Sequence, residues 1–192
     1  MIELNKRIII SLMGVDGSGK TTYAKKIIKI FKKSKYLHLK PYILFQDRRT
    51  TIKNPHHQKK SIFILSLFRL LSWLVSYKIF FYLNKKKKIY IFDRYAHDIF
   101  IDPLRYKHNL SQNLTKIILE FFPKPDLWIF LNPSIKTVKL RKLELSDIEL
   151  RRQIKDYTDF FKKQNNVLEL NTKIKKEILI KHIKKKINKI IK

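Results

Sequence analysis

The amino-acid sequence predicts an α/β fold, a parallel sheet of about five strands with helices on both faces. Three observations predict it. Short apolar runs rich in Ile, Leu and Phe alternate with longer stretches of helical periodicity, the pattern of parallel strands joined by crossover helices. The 192 residues are 44% hydrophobic, enough to bury one sizeable core, so residues 1–192 are expected to form a single domain. Finally, the chain has only 3 glycines, Gly14, Gly17 and Gly19, and all of them follow the first apolar run.

That first run, Arg7 to Met13, reads as a buried strand because it is apolar without alternation. Residues 20 to 33 then place Tyr23, Ala24, Ile27, Ile28, Ile30 and Phe31 at helical spacing among lysines. A second strand is expected at Tyr36 to Lys40, ending before Pro41, a third at Lys88 to Asp93, a fourth at Asp126 to Leu131 and a fifth at Val167 to Leu170. Helical patterns fill about 61 to 83, 111 to 121, 134 to 143 and 148 to 164, and a Lys/Ile helix runs from about 174 to the end. Right-handed crossovers restrict how these strands connect.

The stretch 61 to 83 is nearly long enough to cross a bilayer, and a membrane span is the competing reading. Ser66, Arg69, Ser72 and Ser76 recur on it at intervals of three and four, a narrow polar stripe with a charge near its middle. An arginine at mid-depth is costly in lipid. A span here would also part the glycine loop from the strand at 88 to 93. A buried helix is therefore expected, its outer face suited to a second subunit, and a homodimer without a membrane span follows.

The formal net charge of +29 raises nucleic acid or an anionic membrane as a partner. Of the 44 basic residues, however, only 9 are arginine, the residue that specific phosphate and base recognition favours. The lysines are spread along the chain with Ile and Asn, so a solvated surface without a specific nucleic-acid partner is expected. The absence of cysteine excludes disulfides and thiolate metal sites. The run Ile8 to Met13 is too short for a signal-peptide core, and a cytoplasmic location is expected.

Gly14-Val15-Asp16-Gly17-Ser18-Gly19-Lys20-Thr21 matches G-x-x-x-x-G-K-[ST] directly between the first strand and the first helix. Glycines let backbone N–H groups curl toward phosphate oxygens, and the helix that follows adds its positive end. Lys20 can reach the outer phosphates of ATP, and the Thr21 hydroxyl can ligate Mg2+. This is a P-loop, and it narrows the fold to the three-layer P-loop NTPase kind. Asp93 ends an apolar strand, where a carboxylate can hold Mg2+ or its waters, and Arg94 offers a planar fork for a second phosphate. His97, near Asp93, Asp98 and Asp102, matches no zinc spacing and reads as a loop histidine.

The loop with Thr22, the triplet Asp93-Arg94-Tyr95 and Pro125-Asp126-Leu127-Trp128-Ile129-Phe130-Leu131 together resemble thymidylate kinases, within the P-loop nucleoside monophosphate kinase group. The resemblance implies transfer of the ATP terminal phosphoryl group to a nucleoside monophosphate, with dTMP the first choice. It implies that residues 14–22 bind ATP, that Asp16, Arg94, Arg69 and Tyr95 line the acceptor, and that Lys20, Asp93 and Arg94 act in transfer. It also implies a lid at about 141–155, from which Arg141, Arg151 or Arg152 closes on the phosphates. Some of these kinases carry a basic residue where Gly17 stands here; this chain resembles those that bring the charge from the lid.

The departures concern the acceptor. The family's base-stacking phenylalanine falls on Leu65 if Arg69 is its arginine, and Lys40-Pro41 stands for the usual arginine-proline element. Residues 96–106 look more like a thymidylate-kinase-like branch found among bacterial surface polysaccharide genes. There Asp98, Asp102 and Arg105 either shape a different pocket or pair to fix the loop. Two other readings stay open: a P-loop kinase acting on a nucleoside or phosphorylated sugar, and a basic nucleic-acid or membrane-surface binding protein with a nucleotide switch.

Overall fold

A computed structural model describes residues 6–41, 60–84, 88–141 and 145–191. Five strands form one sheet: β1 (Ile8–Met13), β2 (Ser34–His38), β3 (Ile89–Asp93), β4 (Leu127–Asn132) and β5 (Val167–Asn171). Their order is β2-β3-β1-β4-β5 and every pairing is parallel. The central position of β1 explains its composition, since both edges are paired and all of its residues are buried. The two edge strands are mixed, with only Leu37 of β2 and Leu170 of β5 buried.

The helices are α1 (Lys20–Ile30), α2 (Phe63–Leu83), α3 (Asp98–Ile101), α4 (Gln112–Glu120), α5 (Ile135–Lys139), α6 (Asp147–Phe161) and α7 (Lys176–Ile191). The Ser111, Ser134 and Ser146 hydroxyls accept from backbone N–H groups at the starts of α4, α5 and α6, supplying partners that a first turn lacks. Expected and observed bounds agree to within a few residues, except that α5 stops at Lys139. The four-residue α3 and a 3-10 turn at Leu104–Tyr106 were not expected.

The chain divides into two compact units. One comprises Met1–Leu39, Lys86–Tyr95 and Lys124–Lys192; the other comprises Lys40–Lys85 and Ala96–Pro123, the crossovers that leave β2 and β3. In the first, Tyr23, Ala24 and Ile27 of α1, Phe31 just past its end, and Leu179, Ile183 and Ile187 of α7 cover one sheet face with Ile10, Leu12, Ile91 and Ile129. On the other face Phe130 stacks with Tyr157 and Phe161 of α6, at 5.9 and 4.8 Å between ring centroids. The region expected as a lid, about 141–155, includes three residues, 142–144, that lie outside the described ones.

In the second unit α2 shows an inverted pattern. Ser66 and Ser76 are buried beside Leu70, Trp73, Tyr77, Phe80 and Phe81, while Phe63, Ile64, Leu65, Phe68, Leu71 and Val75 are exposed. The serines tolerate burial because they bond to backbone: Ser76 Oγ donates to Ser72 O at 2.7 Å, and Ser66 Oγ accepts from Asn109 N at 3.0 Å. Helix α2 is long and apolar enough to cross a membrane by length and composition, with 33% of its most apolar window buried. The expectation of a buried helix therefore holds for one side of α2.

Candidate functional site

The P-loop leaves the carboxyl end of β1, where parallel sheets place their ligand sites. Gly14 has φ +144°, and a Cβ built there would lie 2.5 Å from the Leu131 carbonyl oxygen of β4, so the backbone passes where no side chain fits. Gly19, at φ 98°, sits at the start of α1. Between them Ser18 N donates to Val15 O at 3.2 Å and closes the turn. The Lys20 ammonium donates to Gly14 O and Val15 O, each at 2.8 Å, and lies 3.8 Å from Asp16 Oδ1.

Two carboxylates organise this end of the sheet. Asp16 accepts from Arg94 Nη2 in an ion pair whose members are both buried. Arg94 N extends the β1–β3 ladder by donating to Leu12 O at 2.9 Å, and the backbone then turns left-handed at φ 74°. Such a conformation in a non-glycine residue is held by its surroundings, here the ladder and the ion pair. Asp93 Oδ2 accepts from Thr21 Oγ1 at 2.5 Å and from Tyr36 Oη at 3.0 Å. The Thr21 and Asp93 oxygens thus lie side by side at the first turn of α1, where Thr21 is exposed. Hard oxygen donors in this number suit Mg2+, which takes one or two protein ligands and fills the remainder with water and phosphate. Among the described residues no group of three or more His, Asp or Glu side chains could hold a metal ion, which leaves His97 a buried loop histidine.

The arginines of the expected lid separate clearly. Arg141 Nη1 donates to Gly17 O at 3.2 Å, the one lid arginine that touches the loop among the described residues. Arg152 is held on the surface of α6 by Glu149, at 2.5 Å, and Asp156, at 2.6 Å, and Arg151 is exposed on the same helix. Burial raises the Tyr23 hydroxyl pKa, with the Arg141 charge opposing and Glu177 adding to the rise.

Tyr95, expected at the acceptor, lies in the core. Its ring is fully buried, edge-on to Phe92 at 5.0 Å and to Trp128 at 5.7 Å, and burial pushes its pKa well up. Arg69, in the second unit, donates to Tyr106 O at 2.5 Å and ties α2 to the 3-10 turn. In the same unit Asp98 accepts from Tyr106 Oη at 2.6 Å, and Asp102 Oδ1 lies 3.4 Å from Arg105 N, so these acids fix their own loop. The Tyr36 hydroxyl was missed by sequence reasoning. Strand register carries the signal: Tyr36 pairs with Ile91 and His38 with Asp93, which puts Tyr36 on the face of Asp93.

A family model described as thymidylate kinase matches residues 12–192. The chain belongs to the thymidylate kinase family. It is accordingly a nucleoside monophosphate kinase with ATP as phosphoryl donor and nucleotides as substrates. A probable thymidylate kinase of Sulfurisphaera tokodaii is 28% identical over 136 residues, covering 68% of each chain. A thymidylate kinase structure from Candida albicans superimposes with a TM-score of 0.65 at 17% identity, over 97% of this chain and 94% of that one. A deoxyadenosine kinase structure from M. mycoides gives a TM-score of 0.65 at 19% identity, over 95% of this chain and 100% of the other. These two structural likenesses speak for the fold of this family member.

Proposed function

We propose that this family member phosphorylates dTMP to dTDP with Mg2+ and ATP, using the loop end of the sheet. The observation that carries the site assignment is the buried Asp16–Arg94 pair beside the P-loop. A guanidinium held there by a carboxylate is pre-oriented to take an acceptor phosphate, and Asp16 is then free to approach the acceptor sugar. ATP phosphates lie against the backbone N–H groups of residues 14–22. Lys20 leaves Gly14 O and Val15 O for the outer phosphates, and Arg141 neutralises charge from the opposite side of the loop. Thr21 and Asp93 hold Mg2+, which when bound neutralises charge on the phosphate oxygens. The acceptor phosphate is itself a nucleophile and needs no strong general base. Arg151 and Arg152 are assigned no catalytic role.

Coupled ADP release measured against dTMP, dUMP, CMP, AMP, thymidine and a sugar phosphate tests this reading. We expect turnover with dTMP, its loss in Lys20→Ala, and a raised acceptor KM in Arg94→Ala. Equal background rates for every monophosphate would sink it, and preference for thymidine or the sugar phosphate would move the acceptor to those classes. We further propose that the exposed Phe63, Leu65, Phe68 and Val75 side of α2 packs on a second copy of the chain. Sedimentation should then show a dimer that Phe68→Glu dissociates; a monomeric wild type would refute it.

A further inference from the structure

The hydroxyl of Tyr36 has no part in the transfer described above, yet it meets the same oxygen of Asp93 that Thr21 meets. Asp93 Oδ2 accepts two hydrogen bonds from different elements, Thr21 Oγ1 at 2.5 Å from α1 and Tyr36 Oη at 3.0 Å from β2. The two donors differ in what else they can do. Thr21 is an exposed residue on the first turn of the helix, and its hydroxyl is itself a cation ligand by type. The Tyr36 ring is partly buried and packed against the core cluster beneath α1, so its hydroxyl is carried on a rigid stem. The backbone reinforces the link, because Leu39 N, just past the end of β2, donates to Asp93 O at 3.0 Å. Strand β2 thus grips Asp93 by both its carbonyl and its carboxylate.

We propose that Tyr36 is a positioning residue for the magnesium site, holding the Asp93 carboxylate toward the first turn of α1 when the Thr21 hydroxyl turns to a cation. This rests on the reading of Asp93 as the residue that organises Mg2+. A carboxylate whose bond to Thr21 is given up would otherwise regain rotamer freedom, and ordering it again would weaken cation binding. A hydrogen bond from a fixed phenol removes that cost, as outer partners of metal ligands commonly do. The phenol donates to the same oxygen, Oδ2, that Thr21 shares.

The test uses Mn2+ as the probe, with the full chain and a non-hydrolysable ATP analogue, and counts free Mn2+ by electron paramagnetic resonance. Tyr36→Phe keeps the ring and removes only the donor. It should require roughly tenfold more Mn2+ for half-saturation, while metal-free analogue binding and thermal stability stay at wild-type values. Asp93→Asn separates the two claims. If Asp93→Asn loses Mn2+ affinity and Tyr36→Phe does not, the inference about Tyr36 fails and the reading of Asp93 stands. If Asp93→Asn binds Mn2+ as the wild type does, the reading of Asp93 fails and the inference with it. Equal weakening of metal-free and metal-loaded analogue in Tyr36→Phe would mark general damage to the loop and would also overturn it.

Discussion

Replacing Asp16 with alanine removes a carboxylate shared by two buried cations. Asp16 Oδ1 pairs with Arg94 and lies 3.8 Å from the Lys20 ammonium, and the Arg94 and Lys20 side chains are 5% and 6% exposed. Without Asp16 both charges stay in the same small volume with water largely excluded. Truncating one member of a buried pair costs roughly 3–5 kcal/mol, mostly as the penalty of the charge left behind. Lys20 keeps two carbonyl partners, so the lower end, about 3 kcal/mol, is the better expectation. For a chain of this size each kcal/mol lowers Tm by about 2–4 °C, which gives a fall of about 6–12 °C. Differential scanning calorimetry in a phosphate-free buffer measures it. Saturating ATP should then raise the Tm of the variant more than that of the wild type, since phosphate supplies the missing negative charge. A variant Tm within about 2 °C of wild type in the ligand-free buffer would refute the reasoning, because the two cations would then be solvated in place.

Gly14→Ala should damage the loop through geometry alone: its Cβ would lie 2.5 Å from Leu131 O at a backbone φ of +144°, so β4 or the loop must move. Strain of this kind is worth about 1–3 kcal/mol, and calorimetric titration should show ATP binding weakened about tenfold or more. Burial, with the nearby Arg69 and Lys60 charges adding, lowers the His108 pKa to about 4, and its Nε2 sits 2.7 Å from Thr115 Oγ1. The folded state therefore binds fewer protons here than the unfolded state between about pH 6.5 and 4, and stability is lost as pH falls through that window. Denaturant titrations should show a shallower pH dependence in His108→Gln over the same range. An unchanged slope would remove His108 from the acid response.

The strands were legible where burial on both faces leaves a continuous apolar run. β1, β3 and β4 lie within a residue of their expected bounds, because Ile-Ile-Ile and Ile-Tyr-Ile-Phe have no other plausible place in an α/β chain. β2 was less legible: it begins at Ser34 and ends at His38, since the left-handed backbone at Leu39, φ 57°, stops the strand before Pro41 does. On α2 the polar stripe was visible but its direction was not. When most of a helix surface is apolar, periodicity does not say which side faces inward, and serines that bond to carbonyls one turn back can be buried. At the site, the loop and its flanking strand and helix were readable because the motif is local. The Asp16–Arg94 pair, the Tyr36–Asp93 bond and the Arg141–Gly17 contact join residues far apart in sequence. Only the tertiary fold brings them together.

The central place of β1 has a consequence for how the chain is made. Its neighbours come from residues 89–93 and 127–132, and Gly14 is shaped against a carbonyl at the far end of β4. Every strand pairing is parallel and therefore waits on a crossover, which makes assembly slow and late. On the ribosome the loop after β1 must remain unfinished until β4 has emerged. Nucleotide capture by the nascent protein would thus mark the moment when β4 docks, and a truncation ending before Leu127 should hold the complete loop sequence yet form no loop.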